Sequence, residues 1–424
     1  MKNSGIVILL NFFRQLSFHS AVFSVFFLIY KEFDLGVLAM WFTLCKLTQA
    51  LLEIPSGVFA DKYGRKRSLQ LSRICAFIVI VMLIFGNSVA VILLAAVLEG
   101  ICNALYSDSD TSLVYDGMKK HGRTDLYPKF IAMYNGMGAI SYGISSIIGA
   151  LMATGFPVVW VVAMRLPIHV LHYYISKQLI DKVSDEDKPA ASHTWKHFKE
   201  SWKFVTHNRN LVKVMYFNAT VFAFNLLVWD YWQVYGIAIA LPTVMFGMCA
   251  ALLAMAEGFP QFISYKYLNP KHFSRIYVVL LGAAGVLGLL AGMLGNQIGF
   301  ALLVLSVFVT GFSFPVGAAV VQRNTDTKHR TTVASFSTLF GMLTYSLFSL
   351  FFGAIAQAQS IFAAFAFVGV VVVGALVVYI FMHGVRPWLN RHGRLVRLMR
   401  IPEGFLADDD RHRNVHKHHY GWGR

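Results

Sequence analysis

Long apolar runs alternate along the chain with short polar interruptions. Twelve runs approach the roughly 20 residues that a helix needs to cross the hydrocarbon core of a bilayer: 5–30, 37–59, 70–86, 89–113, 130–153, 157–175, 211–235, 242–264, 276–294, 298–322, 331–357 and 361–383. The pattern predicts an all-α integral membrane protein with twelve transmembrane helices. The turns between the runs differ in kind. Odd turns (30–37, 86–89, 153–157, 235–242, 294–298, 357–361) are short and nearly uncharged, whereas even turns (60–70, 114–129, 176–210, 265–275, 323–330) are basic.

Charge then orients the segments. Of 37 lysines and arginines, Lys31 alone lies in an odd turn, Arg14, Lys46 and Arg165 lie deep within runs, and the rest fall in the even turns, within a few residues of them, or at the two ends. Basic loops stay on the cytoplasmic side. The expected topology is therefore multi-pass in a bacterial inner membrane, with both termini cytoplasmic. The net charge of +16 follows this loop pattern, so nucleic acid is not an expected partner. Only 14% of residues are charged, against about 25% in soluble domains. The first run, interrupted at Arg14, suits an uncleaved first helix rather than a signal peptide. Cys45, Cys75, Cys102 and Cys249 all sit in apolar runs without C-x-x-C spacing and read as small hydrophobes.

The longest even turn divides the runs six and six. The expected domains are a six-helix bundle over 1–175, a cytoplasmic linker over 176–210, a second bundle over 211–383 and a basic tail over 384–424. A shift of 204 positions lays Glu53 on Glu257, Lys62 on Lys266 and Tyr63 on Tyr267, as parallel halves related about the membrane normal would give. In the tail, Arg391, Arg394, Arg397 and Arg400 recur among Leu389, Leu395, Leu398 and Met399, a basic amphipathic stretch suited to anionic lipid headgroups. The last histidine-rich stretch reads as a solvated tail or a metal chelator.

Three patches carry chemistry. Gly57-Val58-Phe59-Ala60-Asp61-Lys62-Tyr63-Gly64-Arg65-Lys66-Arg67-Ser68-Leu69 is a densely charged loop that follows Glu53-Ile54-Pro55-Ser56. Ser107-Asp108-Ser109-Asp110-Thr111-Ser112-Leu113-Val114-Tyr115-Asp116 ends the fourth run, and His329-Arg330-Thr331-Thr332-Val333-Ala334-Ser335 opens the eleventh. The first resembles the G-x-x-x-D-x-x-G-R-[RK]-x-x-L loop of major facilitator superfamily transporters. The others are similar to the S-G-T-D-x-A-L-x-Y-D and R-A-T-V-x-S patterns of one bacterial group in that superfamily. The resemblance implies two pseudo-symmetric six-helix bundles that rock about a central site. It implies that Asp61 sits against the start of the eleventh helix, where unpaired N–H groups favour an anion. Arg65 would pair with Asp108, Asp110 or Asp116. With Gly57, Gly64 and Arg330 these residues form an expected gating set on one side of the membrane. The competing account is that the basic loop only sets topology. The fifth run has glycines at Gly143 and Gly149 but no proline, unlike the drug–proton antiporters of the superfamily.

Ionisable groups at membrane depth face a cavity or a partner. Arg14 and His19 in the first run pair with an acid or contact substrate. Glu99, with Asn103 one turn on, carries a coupling proton or forms a salt bridge to Arg14, Lys46 or Arg165. Arg165, His169 and His172 share one helical face. Asp230 stands among Trp229, Tyr231 and Trp232, which suit either a membrane interface or an outer gate. Glu257 with Gln261 is structural or part of the path. Substrate or proton path residues are therefore Arg14, His19, Glu99, Asn103, Arg165, His169, Asp230 and Glu257, with no metal site and no cofactor. No G-x-x-x-x-G-K-[ST] loop is present, so direct ATP use is not expected, nor is enzymatic chemistry. The expected function is proton-coupled transport of a small organic solute, an anionic one suiting Arg14, Arg165 and the histidines, by a monomer. The alternatives are a siderophore or metal-chelate transporter, or a non-transporting receptor or scaffold on the same fold.

Overall fold

A computed structural model describes residues 2–107, 109–181, 205–267, 273–315 and 330–380, together with Lys203, Gly317, Val321 and Thr325. Asp108, most of the linker and the whole 384–424 tail lie outside the described residues. The described chain is helical, with no strand. Its helices are α1 Lys2–Gln15, α2 Leu35–Tyr63, α3 Arg65–Phe85, α4 Val89–Tyr106, α5 Ser109–Lys120, α6 Tyr127–Gly155, α7 Val158–Ala163 and α8 Arg165–Ser176. They continue as α9 Arg209–Ala238, α10 Thr243–Tyr267, α11 Phe273–Leu294, α12 Gln297–Gly311, α13 Arg330–Ala358 and α14 Ile361–Ile380. Nine spans among the described residues are long and apolar enough to cross a membrane. The three other expected spans coincide with α9, α11 and α14.

Short caps fix the tight odd turns. The Asp34 carboxylate accepts from Val37 N at 2.8 Å to start α2, and Asn296 accepts from Gly299 N at 3.0 Å to start α12. Each satisfies one of the N–H groups that a helix start leaves unpaired.

The charged stretch Gly57–Leu69 is not a loop. Helix α2 runs through Tyr63 and α3 begins at Arg65, so Gly64 alone makes the turn, at φ 99°. A residue without Cβ adopts that angle at little cost. Charged side chains beyond the membrane edge lie in water, and nothing there requires the helix to unwind.

The first helical path is broken. It leaves α-geometry at Leu16 and Ser17, resumes as a 3-10 turn over Phe18–Val22, and ends as a π turn over Phe26–Tyr30. The break is held by neighbours. Ser145 Oγ accepts from Ser17 N at 3.0 Å, Ser141 Oγ donates to Phe12 O at 2.6 Å, and Ser20 Oγ donates to Ser17 O at 2.7 Å. A Cβ on Gly149 would collide with the Phe18 carbonyl, so a glycine on α6 is what lets the broken segment dock.

Helices up to α8 pack mainly on one another, as do those from α9 onward. The two groups meet through α2 against α13 and α6 against α10. At the odd-turn end one buried apolar cluster runs across both groups, including Phe26, Phe27 and Trp41 with Tyr231, Trp232 and Phe352. Polar contacts join them there too: Ser24 N donates to Gln233 Oε1 at 2.9 Å, Gln233 Nε2 donates to Ser20 O, and Gly36 N donates to Gln357 Oε1 at 2.9 Å. At the even-turn end the buried clusters are separate, one around Tyr106 and Tyr134 and another around Met215 and Phe336. Among the described residues the halves are joined at the odd-turn end and share no buried cluster at the even-turn end.

Candidate functional site

Between the halves lies a cavity of about 920 Å³. Its wall takes residues from both sides: Asn11, Arg14, Lys46, Arg73, Glu99 and Arg165 from the first half, and Asn225, Trp229, Asp230, Gln233 and Glu257 from the second. Arg14, His19, Glu99, Asn103, Arg165, His169, Asp230 and Glu257 all line it. None of the acids and bases on this wall is joined to another in an ion pair among the described residues. The salt bridge from Glu99 to Arg14, Lys46 or Arg165, one of the two roles the sequence allows it, is absent among the described residues, and Glu99 accepts from Asn103 Nδ2 at 3.4 Å.

Arg165 has a different partner from those the sequence suggests. Its Nη1 donates to Leu16 O at 2.8 Å and its Nη2 to Arg14 O at 2.7 Å. The guanidinium caps the carbonyls that the break in the first helix leaves open. Of the two histidines that share its helical face, His169 reaches the cavity, while His172 is buried with its ring 5.9 Å from that of Tyr106.

Arg73, grouped with the basic turn by its position near 60–70, is 5% exposed and lines the cavity. It lies over the Tyr106 ring at 4.7 Å, and Arg14 lies over the same ring at 4.1 Å. Helical spacing from the charged turn is the signal that reveals it: α3 begins at Arg65, and Arg73 is two turns further into the membrane.

The aromatic cluster at Trp229–Gln233 does not form an interfacial belt. Tyr231 and Trp232 are fully buried, Trp232 packing on Phe246 and Phe300 and Tyr231 on Phe42 of the other half. Helix α9 extends to Ala238, which draws these residues inward from the membrane edge. Asp230 accepts from the Tyr345 hydroxyl at 2.5 Å, and Glu257 Oε1 accepts from Asn225 Nδ2 at 3.2 Å.

The described members of the gating set do not line this cavity. Arg65 Nη1 meets Asp116 Oδ2 at 2.6 Å, and Arg65 Nη2 lies 3.7 Å from Asp61 Oδ1. Asp110 is engaged elsewhere, its Oδ2 accepting from the Tyr134 hydroxyl at 2.6 Å and its Oδ1 from Thr111 N. These contacts stay within the first half. Gly57 faces open space, where an added Cβ meets nothing within 4 Å among the described residues. Arg330 opens α13, and its side chain, like Asp108, lies outside the described residues.

Residues 7–309 match the sequence profile of the Major Facilitator Superfamily. The chain belongs to that superfamily. An uncharacterised MFS-type transporter, YxaM of Bacillus subtilis (strain 168), is 29% identical over 85 residues, a stretch covering 20% of this chain and 21% of the relative. Among solved structures, a variant of the nucleoside transporter NupG superposes with TM-score 0.73 at 13% identity, covering 89% of this chain and 97% of the other. A POT family transporter in complex with a thioalcohol-conjugated peptide gives 0.68 at 11% identity, covering 92% and 96%. A D-xylose–proton symporter gives 0.65 at 12%, covering 90% and 95%. At these identities the likeness shows a shared fold. The chain is a multi-pass membrane transporter and not an enzyme.

Proposed function

We propose that this protein is a proton-coupled secondary transporter of a small organic solute bearing an anionic group, working as a monomer by alternating access in a bacterial inner membrane. The observation that carries this reading is the cavity itself. It lies between two bundles, is sealed by apolar and polar contacts at one end, and is lined by acids and bases with no ion-pair partners among themselves. A scaffold gains nothing from such a wall, because a buried charge without a partner is costly. A transporter needs it, since substrate and proton supply the missing partners.

The basic even turns support a cytoplasmic placement for the parted end. The conformation is then inward-facing, with substrate exchanging on the cytoplasmic side. Arg14 supports the anion, Glu99 is the proton carrier, and the Asp61–Arg65–Asp116 cluster is half of a latch that engages the second half when that end closes. Residues 1–175 and 211–383 are the moving bodies, 176–210 joins them, and the tail rests on anionic headgroups.

The direct test uses proteoliposomes given an imposed proton gradient and a mixture of small organic acids. Protein-containing vesicles accumulate at least one acid, and a protonophore abolishes the accumulation. Profiles equal to those of empty vesicles would refute transport of such solutes; accumulation indifferent to the protonophore would refute proton coupling.

A further inference from the structure

The charges on the cavity wall are unevenly divided: the first half supplies Arg14, Lys46, Arg73 and Arg165 with one acid, Glu99, and the second half supplies the acids Asp230 and Glu257. Arg14 and Arg73 belong to the first half and share the face of one tyrosine, Tyr106. Arg73 is 5% exposed, its Nη2 donates to Ser72 Oγ at 2.9 Å, and its Nε is buried without a partner. Two guanidinium groups brought to one ring repel, and the low dielectric of the site strengthens the repulsion. The ring offsets part of that cost. A carboxylate would offset more, but Asp110 already serves Tyr134 and Thr111, and Glu99 on the same wall accepts from Asn103 and makes no ion pair with either arginine among the described residues. What this corner lacks is an oxyanion with more than one acceptor.

The second half has the opposite deficit. Asp230 and Glu257 line the cavity from α9 and α10. Their contacts are neutral donors, Tyr345 to Asp230 and Asn225 to Glu257. Lys46 also lines the cavity, from the first half, and makes no ion pair with either acid. Between the two walls Trp229 and Tyr142 meet edge to face at 5.9 Å, giving an apolar middle.

We infer that the cavity takes a dipolar organic solute, with its carboxylate on Arg14 and Arg73 and its amine against Asp230 and Glu257. This deepens the anionic-solute reading and rests on it. Such a solute touches both halves at once through charge-assisted contacts. Its binding energy is therefore available to draw the parted end together, which a solute charged at one end only would not do.

The test is ligand binding by the full-length purified protein, read by thermal shift and calorimetry. The probes are ω-amino acids of graded chain length, each compared with the carboxylate and the alkylamine of the same length. At least one amino acid should bind about tenfold or more tighter than both matched single-charge compounds, the range of a charged hydrogen bond. Arg73→Gln should reduce its affinity to that of the amine, and Asp230→Asn to that of the carboxylate. Arg14→Gln and Glu257→Gln test the same two ends if either first variant fails to fold. Carboxylates that bind as tightly as the amino acids overturn the dipolar site and leave the anionic-solute reading intact. Amines that bind as tightly, or a full series without binding, overturn both.

Discussion

Arg165 shows how one buried cation can be structural in a cavity that looks electrostatic. Its two donors end on the carbonyls of Arg14 and Leu16, so it holds the broken first helix open beside the site. Arg165→Gln should lower thermal stability by about 2–6 kcal/mol, since each of the two carbonyls left unpaired costs about 1–3 kcal/mol. A melting curve unchanged from the parent would remove this role. Glu99 is the contrasting case. Its one side-chain hydrogen bond among the described residues comes from Asn103, and it faces the cavity. Glu99→Gln should leave solute exchange intact while abolishing the dependence of transport on external pH, measured in proteoliposomes. An unaltered pH profile would exclude it as the proton carrier. The sequence marks Glu99 as a mid-membrane acid because its neighbours are apolar for several residues on both sides. It does not show what Glu99 meets, because partners arrive from other helices.

At the scale of elements, the break in the first helix and its seat on α6 are the features that shape the site. Helix α6 has two glycines within two turns whose surroundings differ. A Cβ on Gly143 meets nothing within 4 Å, whereas one on Gly149 meets the Phe18 carbonyl. Gly149→Val should therefore displace the broken segment and lower both stability and transport. Gly143→Ala should be neutral or stabilise by up to about 1 kcal/mol, the helix preference of alanine over glycine. Equal melting temperatures for the two variants would mean that the seat is not tight. The apolar run 5–30 forecast one continuous helix here, because hydropathy reports which residues tolerate lipid and not whether the backbone ladder is unbroken. Side chains of Ser141, Ser145 and Arg165 from other helices take over the backbone groups that the break releases. In a membrane that exchange is permitted only where protein surrounds it.

For the whole molecule, the asymmetry between the two ends defines the state. A single buried cluster spans the halves at the odd turns, and separate clusters occupy the even-turn end. Asn135, exposed and lining the cavity, is a reporter of access. In a background lacking the four native cysteines, Asn135→Cys should react with an impermeant maleimide from the cytoplasmic side of inverted vesicles. Reaction only from the other side would reverse the proposed topology. Asp61→Asn should slow turnover without preventing membrane insertion. Its exposed pair with Arg65 contributes at most about 1 kcal/mol to stability, so a normal transport rate would remove the gating role rather than reflect a fold defect.

The sequence by itself determined that this chain is an all-α membrane protein with its basic turns on one side. Both follow from properties each residue carries alone, its free energy in lipid and its charge. It also placed acids and bases at membrane depth, and several of these, such as Arg14, Glu99 and Asp230, line one cavity. Only the tertiary structure decided which of them face one another. Arg73 moves from a basic turn to a shared aromatic ring, Trp232 from an expected interface to the core, and Arg165 from an anion path to two backbone carbonyls. Packing between helices brings together residues more than a hundred positions apart, and no local pattern of hydrophobic and polar positions records which helix faces which.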